Sequence, residues 1–326
     1  MIPTLIGITI VCFTLIQMVP GGPVEQYLSR ISGAESLQGA NANNTISQEE
    51  VAIVRAYYGF DRPAIERYFS WLWNLLHLDF GDSYFYEEPV WDVVTERMPI
   101  SLFFGLTSFL LSYAVCIPLG IFKAVKKDTW ADTLSSILIY IGYVMPAYAL
   151  GVLLIILFCG GSYLDWFPLG GVMSGSFEEL GFLWGILDFM HHMILPMICF
   201  MAGEFAVLTI LMKNSLLEEI HKEYIRTALL KGSSRLRAVM VHGLRNALIP
   251  IATRLSEIFT LVFAGALLIE RVFDIDGMGL LFYNSIVRRD YNVVLGLIVM
   301  TSFLSLVGRL FSDLLYALVD PRIRFK

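Results

Sequence analysis

Six stretches of this chain run close to twenty residues with few or no charges, and nothing else in it constrains the fold as much. Crossing roughly 30 Å of hydrocarbon at about 1.5 Å per helical residue takes about 20 apolar residues. The stretches are 2–18, 99–122, 134–159 with Pro146 inside, 193–212 with Glu204, 247–269 with Arg254 and Glu257 in its early turns, and 291–318 with Arg309 and Asp313 near its end. Backbone groups in lipid must be satisfied within their own segment, so each is expected to be a helix. A hydrophobic share of 56% against 16% charged, over 326 residues, lies outside the range of a soluble domain. The expectation is an all-α polytopic membrane protein with six transmembrane helices. The first stretch lacks the charged leader and small-residue cleavage site of a signal peptide and is expected to stay as a span.

Loop charge gives the orientation. Lys123, Lys126 and Lys127 follow the second span, seven cations from Lys213 to Arg245 follow the fourth, and Arg322, Arg324 and Lys326 end the chain. These regions are expected in the cytoplasm, with both termini. On the opposite side lies segment 19–99, where five Arg face twelve Asp and Glu, together with 160–190 and 270–290. The net charge of −6 comes from those outer loops and gives no reason to expect a nucleic-acid partner.

Catalytic signatures are missing from the sequence. There is no G-x-x-x-x-G-K-S/T, so the chain is not expected to hydrolyse ATP by itself, and no H-E-x-x-H or G-x-S-x-G. Cys12, Cys116, Cys159 and Cys199 fall within or beside apolar spans and read as small buried residues. His191 and His192 point about 100° apart on a helix, a poor chelate, and read as helix-end anchors. Asn43-Asn44-Thr45 matches a glycosylation sequon, a pattern common by chance. The segment after the first span is long enough to need structure of its own. Helical spacing is expected over 48–58 and 63–76, where Ile65, Tyr68, Phe69, Leu72 and Leu76 line one face. The domain reading is therefore a first span 1–18, an external insertion 19–98 on the membrane surface, and a core 99–326 with a cytoplasmic loop 213–245.

That loop contains an apolar periodicity from Leu216 to Leu230, through Leu217, Ile220, Tyr224, Ala228 and Leu229, which predicts one amphipathic helix turning at Gly232. Its small residues suit docking into another protein's groove, and an amphipathic helix lying on anionic lipid fits the same pattern. The motif "RTALLKG", Arg226 to Gly232, resembles the EAA-x-x-x-G loop of ABC importer permeases: Thr227, Ala228 and Gly232 match, while Arg226 replaces the acidic residue. The following "HGLRNALIP" resembles the variant of the peptide and nickel permease subfamily. "PGGP", "YGFDRP", "FGDS" and "LVDPRI" extend the likeness from end to end, and "GGSYLDWFPLGG" and "DGMGLL" are most similar to the B-type membrane subunit of microcin C and oligopeptide importers.

The resemblance implies a type I ABC importer permease fold in a bacterial inner membrane. It implies a second, C-type permease, cytoplasmic ABC ATPases that bind ATP and Mg, a periplasmic solute-binding protein, and peptide-like cargo. It also implies ATPase coupling through Tyr224, Arg226, Thr227, Ala228 and Gly232, with no cofactor in this chain. A nickel or other solute permease, and a secondary transporter without ATPase partners, are the alternatives. Glu204, Arg254 and Glu257 are candidates for lining the path. Arg254 with Glu257, and Arg309 with Asp313, stand at pairing distance along a helix. Pro118, Pro146 and Pro196 are expected to bend their spans.

Overall fold

The structure, a computed structural model, describes residues 2–18, 61–161, 163–174, 177–256, 258 and 265–319. Among these, helices follow in the order α1 (Ile2–Met18), α2 (Ala64–Leu76), α3 (Val90–Val125), α4 (Trp130–Val144), α5 (Ala147–Phe158), α6 (Phe177–Ile220) and α7 (Glu223–Leu230). A turn at Arg235–Arg237 and a π-helical stretch, Ala238–Gly243, lead into α8 (Leu244–Ala247) and α9 (Ile249–Thr253). α10 (Leu267–Val272), α11 (Met278–Val287) and α12 (Tyr291–Val319) complete the described chain.

Among the described residues three helices are long and apolar enough to cross a bilayer: Val90–Val125, Gly181–Ile220 and Tyr291–Leu314. α1 keeps the bounds expected of the first span, and α12 those of the sixth to within a residue. Two spans are longer than their uncharged runs. α3 starts nine residues before Pro99, through Asp92, Glu96 and Arg97, and α6 reaches from 181 to 220. Intrahelical hydrogen bonding continues beyond hydrocarbon as long as charged side chains reach water, so the uncharged run underestimates the helix. His191 and His192 accordingly sit inside α6 and not at a helix end.

The expected third span is two helices. α4 stops at Val144, α5 starts at Ala147, and the pair is bent by 102°. Pro146 has no N–H to donate and crowds the backbone of the preceding turn, pushing Met145 to φ −76°, ψ 123°. Pro118 lies within α3 and Pro196 within the 181–220 part of α6, whose break falls instead at Gly181, φ 71° and ψ 162°. The expected fifth span is described as α8, α9, a 3-10 turn at Arg254–Ser256 and, after the undescribed residues, α10. Glu257, the 48–58 segment, Asn43 and the basic tail 322–326 lie outside the described residues.

The chain divides into two compact units. One comprises Met1–Met98 and Leu281–Phe303, the other Pro99–Leu280 and Leu304–Lys326. In the first, Phe13 of α1 meets the rings of Tyr68 and Trp71 on α2, and Thr9 shares a 3.0 Å hydrogen bond with the Tyr68 hydroxyl. Tyr68 and Trp71 are thus the side of α2 that packs. Ile65, Phe69 and Leu76, three of the five residues on the expected apolar face, are exposed.

The "FGDS" segment of the same unit is held by Asp290, which is fully buried just before α12. Its carboxylate accepts the Ser83 hydroxyl at 2.5 Å and the amides of Tyr84 and Phe85 at 3.2 and 3.1 Å. Asn292 donates to the Asp82 carbonyl at 2.8 Å. A buried carboxylate needs such donors, since an unpaired one costs several kcal/mol.

In the second unit one core cluster joins Phe104, Cys159, Met193, Cys199, Phe273 and Ile275, and another joins Ala124, Met212, Leu216, Val239, Ala247 and Ile251. Cys116, Cys159 and Cys199 are buried free thiols, as read from the sequence, whereas Cys12, expected to be buried with them, is half-buried. α3 and α6 cross closely at Gly120, where a Cβ would stand 2.6 Å from Met212 Cβ and 2.9 Å from the Thr209 carbonyl oxygen. Only hydrogen fits there.

Candidate functional site: the 213–245 loop and the charges around it

The single amphipathic helix expected over 216–230 is two. α6 ends at Ile220, and Lys222 adopts an extended conformation, φ −76°, ψ 149°, before α7 begins. Apolar spacing alone does not register this break, because Leu216, Ile220 and Ile225 all turn toward one core on either side of it. Leu216 and Ile225 are buried, and Gly243 lies against both. The chain reverses at Gly232, as expected, with φ +89°. Its amide reaches the Leu229 carbonyl at 3.0 Å and the Ser233 amide reaches that of Ala228 at 3.1 Å, satisfying the end of α7.

A cluster missing from the sequence reading fixes the angle of α7. Glu219, nearly buried at the end of α6, accepts the Tyr224 hydroxyl and, at 2.5 Å, the Lys222 ammonium. Asn246 of α8 donates to the Tyr224 oxygen at 3.1 Å. The end of one long helix, the short helix and the next segment are therefore joined through one carboxylate and one phenol. Burial, and the bond it donates to Glu219, raise the Tyr224 hydroxyl above its ordinary pKa. The same carboxylate raises that of Lys222.

The five residues named for ATPase coupling separate into two groups. Tyr224 points inward, within this cluster, and Ala228 is half-buried. Arg226, Thr227 and Gly232 are exposed, and the Thr227 hydroxyl returns to the Glu223 carbonyl at 2.9 Å. Around them Leu230 and Leu236 are 82% and 65% exposed, beside Lys231, Arg235 and Arg237. The two leucines give this basic face of the loop an apolar surface. Sequence reasoning treated the cations as ordinary loop charges and did not single out either leucine.

A second network lies at the ends of α3, α4 and α6. Asp132, buried in the first turn of α4, receives Lys123 at 2.9 Å and Lys213 at 2.8 Å. Lys123 is 1% exposed and also donates to the Asp132 carbonyl and to the hydroxyls of Ser135 and Ser136, at 2.9, 2.8 and 2.7 Å. Its three protons and the carboxylate are thereby matched, as a buried charge requires. Lys123 and Lys213 read in sequence as orienting charges; the structure makes them structural.

Of the path candidates, Glu204 and Arg254 approach to 3.5 Å, so the arginine expected beside Glu257 has a partner on α6. Glu204 also borders a cavity of about 20 Å³ with Ser108, Ser112 and Tyr113, which has room for one water. Arg309 and Asp313 are both exposed and form no ion pair with each other. His191 and His192 turn to the carbonyl oxygens of Trp166 and Asp188, at 2.7 and 2.8 Å. Among the described residues no three metal-ligating side chains converge.

Comparison with known proteins adds two findings. Residues 116–325 match the family described as binding-protein-dependent transport system inner membrane component. Over its whole length the chain is 39% identical to the peptidoglycan transport system permease protein YejB of Agrobacterium fabrum, covering 96% of that protein. It is also 34% identical to the dipeptide transport system permease protein DppB of Escherichia coli and 33% to the oligopeptide transport system permease protein AppB of Bacillus subtilis, covering 96% of each.

Proposed function

We propose a role in peptide uptake for this chain, which belongs to the family of binding-protein-dependent transport system inner membrane components. It is a multi-pass permease component of an ATP-binding-cassette transporter. Full-length likeness to permeases named for peptidoglycan, dipeptide and oligopeptide transport carries the substrate class. A secondary transporter is set aside by family membership, and peptide names among the relatives favour peptide over nickel.

In this reading the loop 213–245 faces the cytoplasm, with both termini, and 19–98 faces the periplasm. A partner ATPase, which holds ATP and Mg, closes on the loop. Leu230 and Leu236 enter its groove between Arg226, Lys231 and Arg235. The motion passes through α7 into α6 by way of Glu219, Tyr224 and Asn246, and the helices exchange inward-facing and outward-facing arrangements. Burial of Tyr224 against Glu219 supports this, because a lever must be rigid where it meets the span. A second, C-type permease completes the pathway, a periplasmic binding protein delivers cargo, and Glu204 with Arg254 border the route.

The test is uptake of a labelled peptide panel in cells with and without this chain, alongside purification of its complex. Loss of uptake of at least one peptide, with an ATP-hydrolysing protein co-purifying, is expected. Unchanged uptake across the panel, or transport by vesicles holding no ATPase, would refute the reading.

A further inference from the structure

The first unit contains a cavity of about 230 Å³ that the transport reading does not use. Its apolar floor is Phe13 and Ile16 of α1 with Leu295 of α12. Trp71, Tyr84 and Tyr291 also line it, together with Arg62 and Arg67. Arg67 is held there by Gln17, whose side-chain oxygen accepts its Nη2 at 2.7 Å. The carboxylate of Asp79 also lines the cavity, but its Oδ1 accepts the amide of Gly81 at 2.9 Å. Among the described lining residues, two guanidiniums stand against one carboxylate.

Its place in the unit identifies the ligand. Phe13, Ile16 and Gln17 are the last turns of an apolar helix whose Ile10, Val11, Leu15 and Met18 are 47–74% exposed, so the cavity sits where a span leaves hydrocarbon. Phospholipid phosphates lie at that depth, and tryptophan and tyrosine favour it. α2 adds Ile65, Phe69, Trp73 and Leu76, all more than 60% exposed, the pattern of a helix lying in the headgroup layer. A drug-sized ligand needs a pocket of about 300–1,000 Å³. At about 230 Å³ this one takes a headgroup and leaves the remainder of the ligand outside.

We propose that this cavity binds a membrane phospholipid, its phosphodiester held by Arg62 and Arg67 and its acyl chains lying along α1. The guanidinium fork matches phosphate oxygens in pairs, and the apolar floor takes the glycerol and first methylenes. A bound lipid would pin α1 and α2 to one membrane face. This proposal needs only that α1 spans the bilayer, and does not depend on the cargo.

The test is native mass spectrometry of the intact transporter released from nanodiscs of phosphatidylethanolamine and phosphatidylglycerol. Wild type is expected to retain one phospholipid per copy of this chain through delipidation. Arg62→Gln and Arg67→Gln should each weaken retention roughly tenfold, the factor that corresponds to about 1.4 kcal/mol. Arg67→Lys should fall between. Arg62 is exposed, so its variant reports on the site if Arg67→Gln fails to fold. Glycerol phosphate and a tripeptide are added as competitors. Equal lipid retention by wild type and Arg62→Gln overturns the proposal, as does displacement of the lipid by tripeptide, which would make the cavity a peptide site. Displacement by glycerol phosphate at equal concentration would make it a site for free phosphate esters and would equally overturn the lipid assignment.

Discussion

Asp132→Asn should be among the most damaging single changes outside the apolar core. It keeps the shape of the side chain and removes the charge that two ammoniums share at 2.9 and 2.8 Å. Lys123, at 1% exposure, would be left as a buried cation with neutral oxygens alone to solvate it, a carbonyl and two hydroxyls beside the new amide. Removing one partner of a buried pair costs about 3–5 kcal/mol. Lys213 is 18% exposed and can turn toward solvent, so Lys213→Met should cost about 1 kcal/mol, within the range for surface pairs. The decisive arm is the double variant Lys123→Met/Asp132→Asn. If the cost of Asp132→Asn is the stranded Lys123 charge, deleting that charge as well should return about half of the loss, giving a coupling energy well above the ~0.5 kcal/mol expected of independent sites. Thermal unfolding of the purified complex, with Tm as readout, measures all four corners of the cycle. A double variant less stable than Asp132→Asn, or a Lys213→Met as damaging as Asp132→Asn, would refute the argument.

Leu230→Glu should leave Tm unchanged, because the side chain is 82% exposed, yet strip the ATPase from the purified complex; Ala228→Glu should do the same with some loss of stability, and retained ATPase in both would remove the docking role. Gly120→Ala should destabilise by about 1–3 kcal/mol, the cost of overpacking, and Met212→Ala should rescue little of it, since alanine keeps the Cβ at 2.6 Å and the Thr209 carbonyl at 2.9 Å is backbone and cannot yield. Tyr224→Phe, which breaks the bonds to Glu219 and Asn246, should cost about 1–2 kcal/mol and lower transport per ATP hydrolysed more than hydrolysis itself. The pKa values of Tyr224 and Lys222 are both raised in the folded loop, so the stability they contribute is complete below about pH 10 and is lost as pH climbs through the folded values. Hydrogen exchange over 223–230, corrected for intrinsic rate, should therefore be flat from neutral to mildly alkaline pH; a rise below the ordinary tyrosine range would contradict the cluster.

The sequence by itself determined what a bilayer demands locally. A run of about 20 uncharged residues has one way to satisfy its backbone, so α1 and α12 match their expected spans to within a residue or two, and a helix that must reverse without a side chain stops at Gly232. Pro146 announced a bend for the same local reason, though not its angle of 102°. Charge runs marked the loop, and its motif located the exposed Arg226, Thr227 and Gly232. Tertiary structure alone decided the pairings. Lys213 and Asp132 are 81 residues apart, Ser83 and Asp290 207, and Arg254 and Glu204 50. Local spacing did not show that Arg254 meets Glu204 or that Tyr224 bonds to Glu219, and it left Glu219, Asp132 and Asp290 without any part to play. A buried charge is stable only where donors and counter-charges converge in space, and that convergence depends on how helices pack, which no stretch of sequence carries by itself.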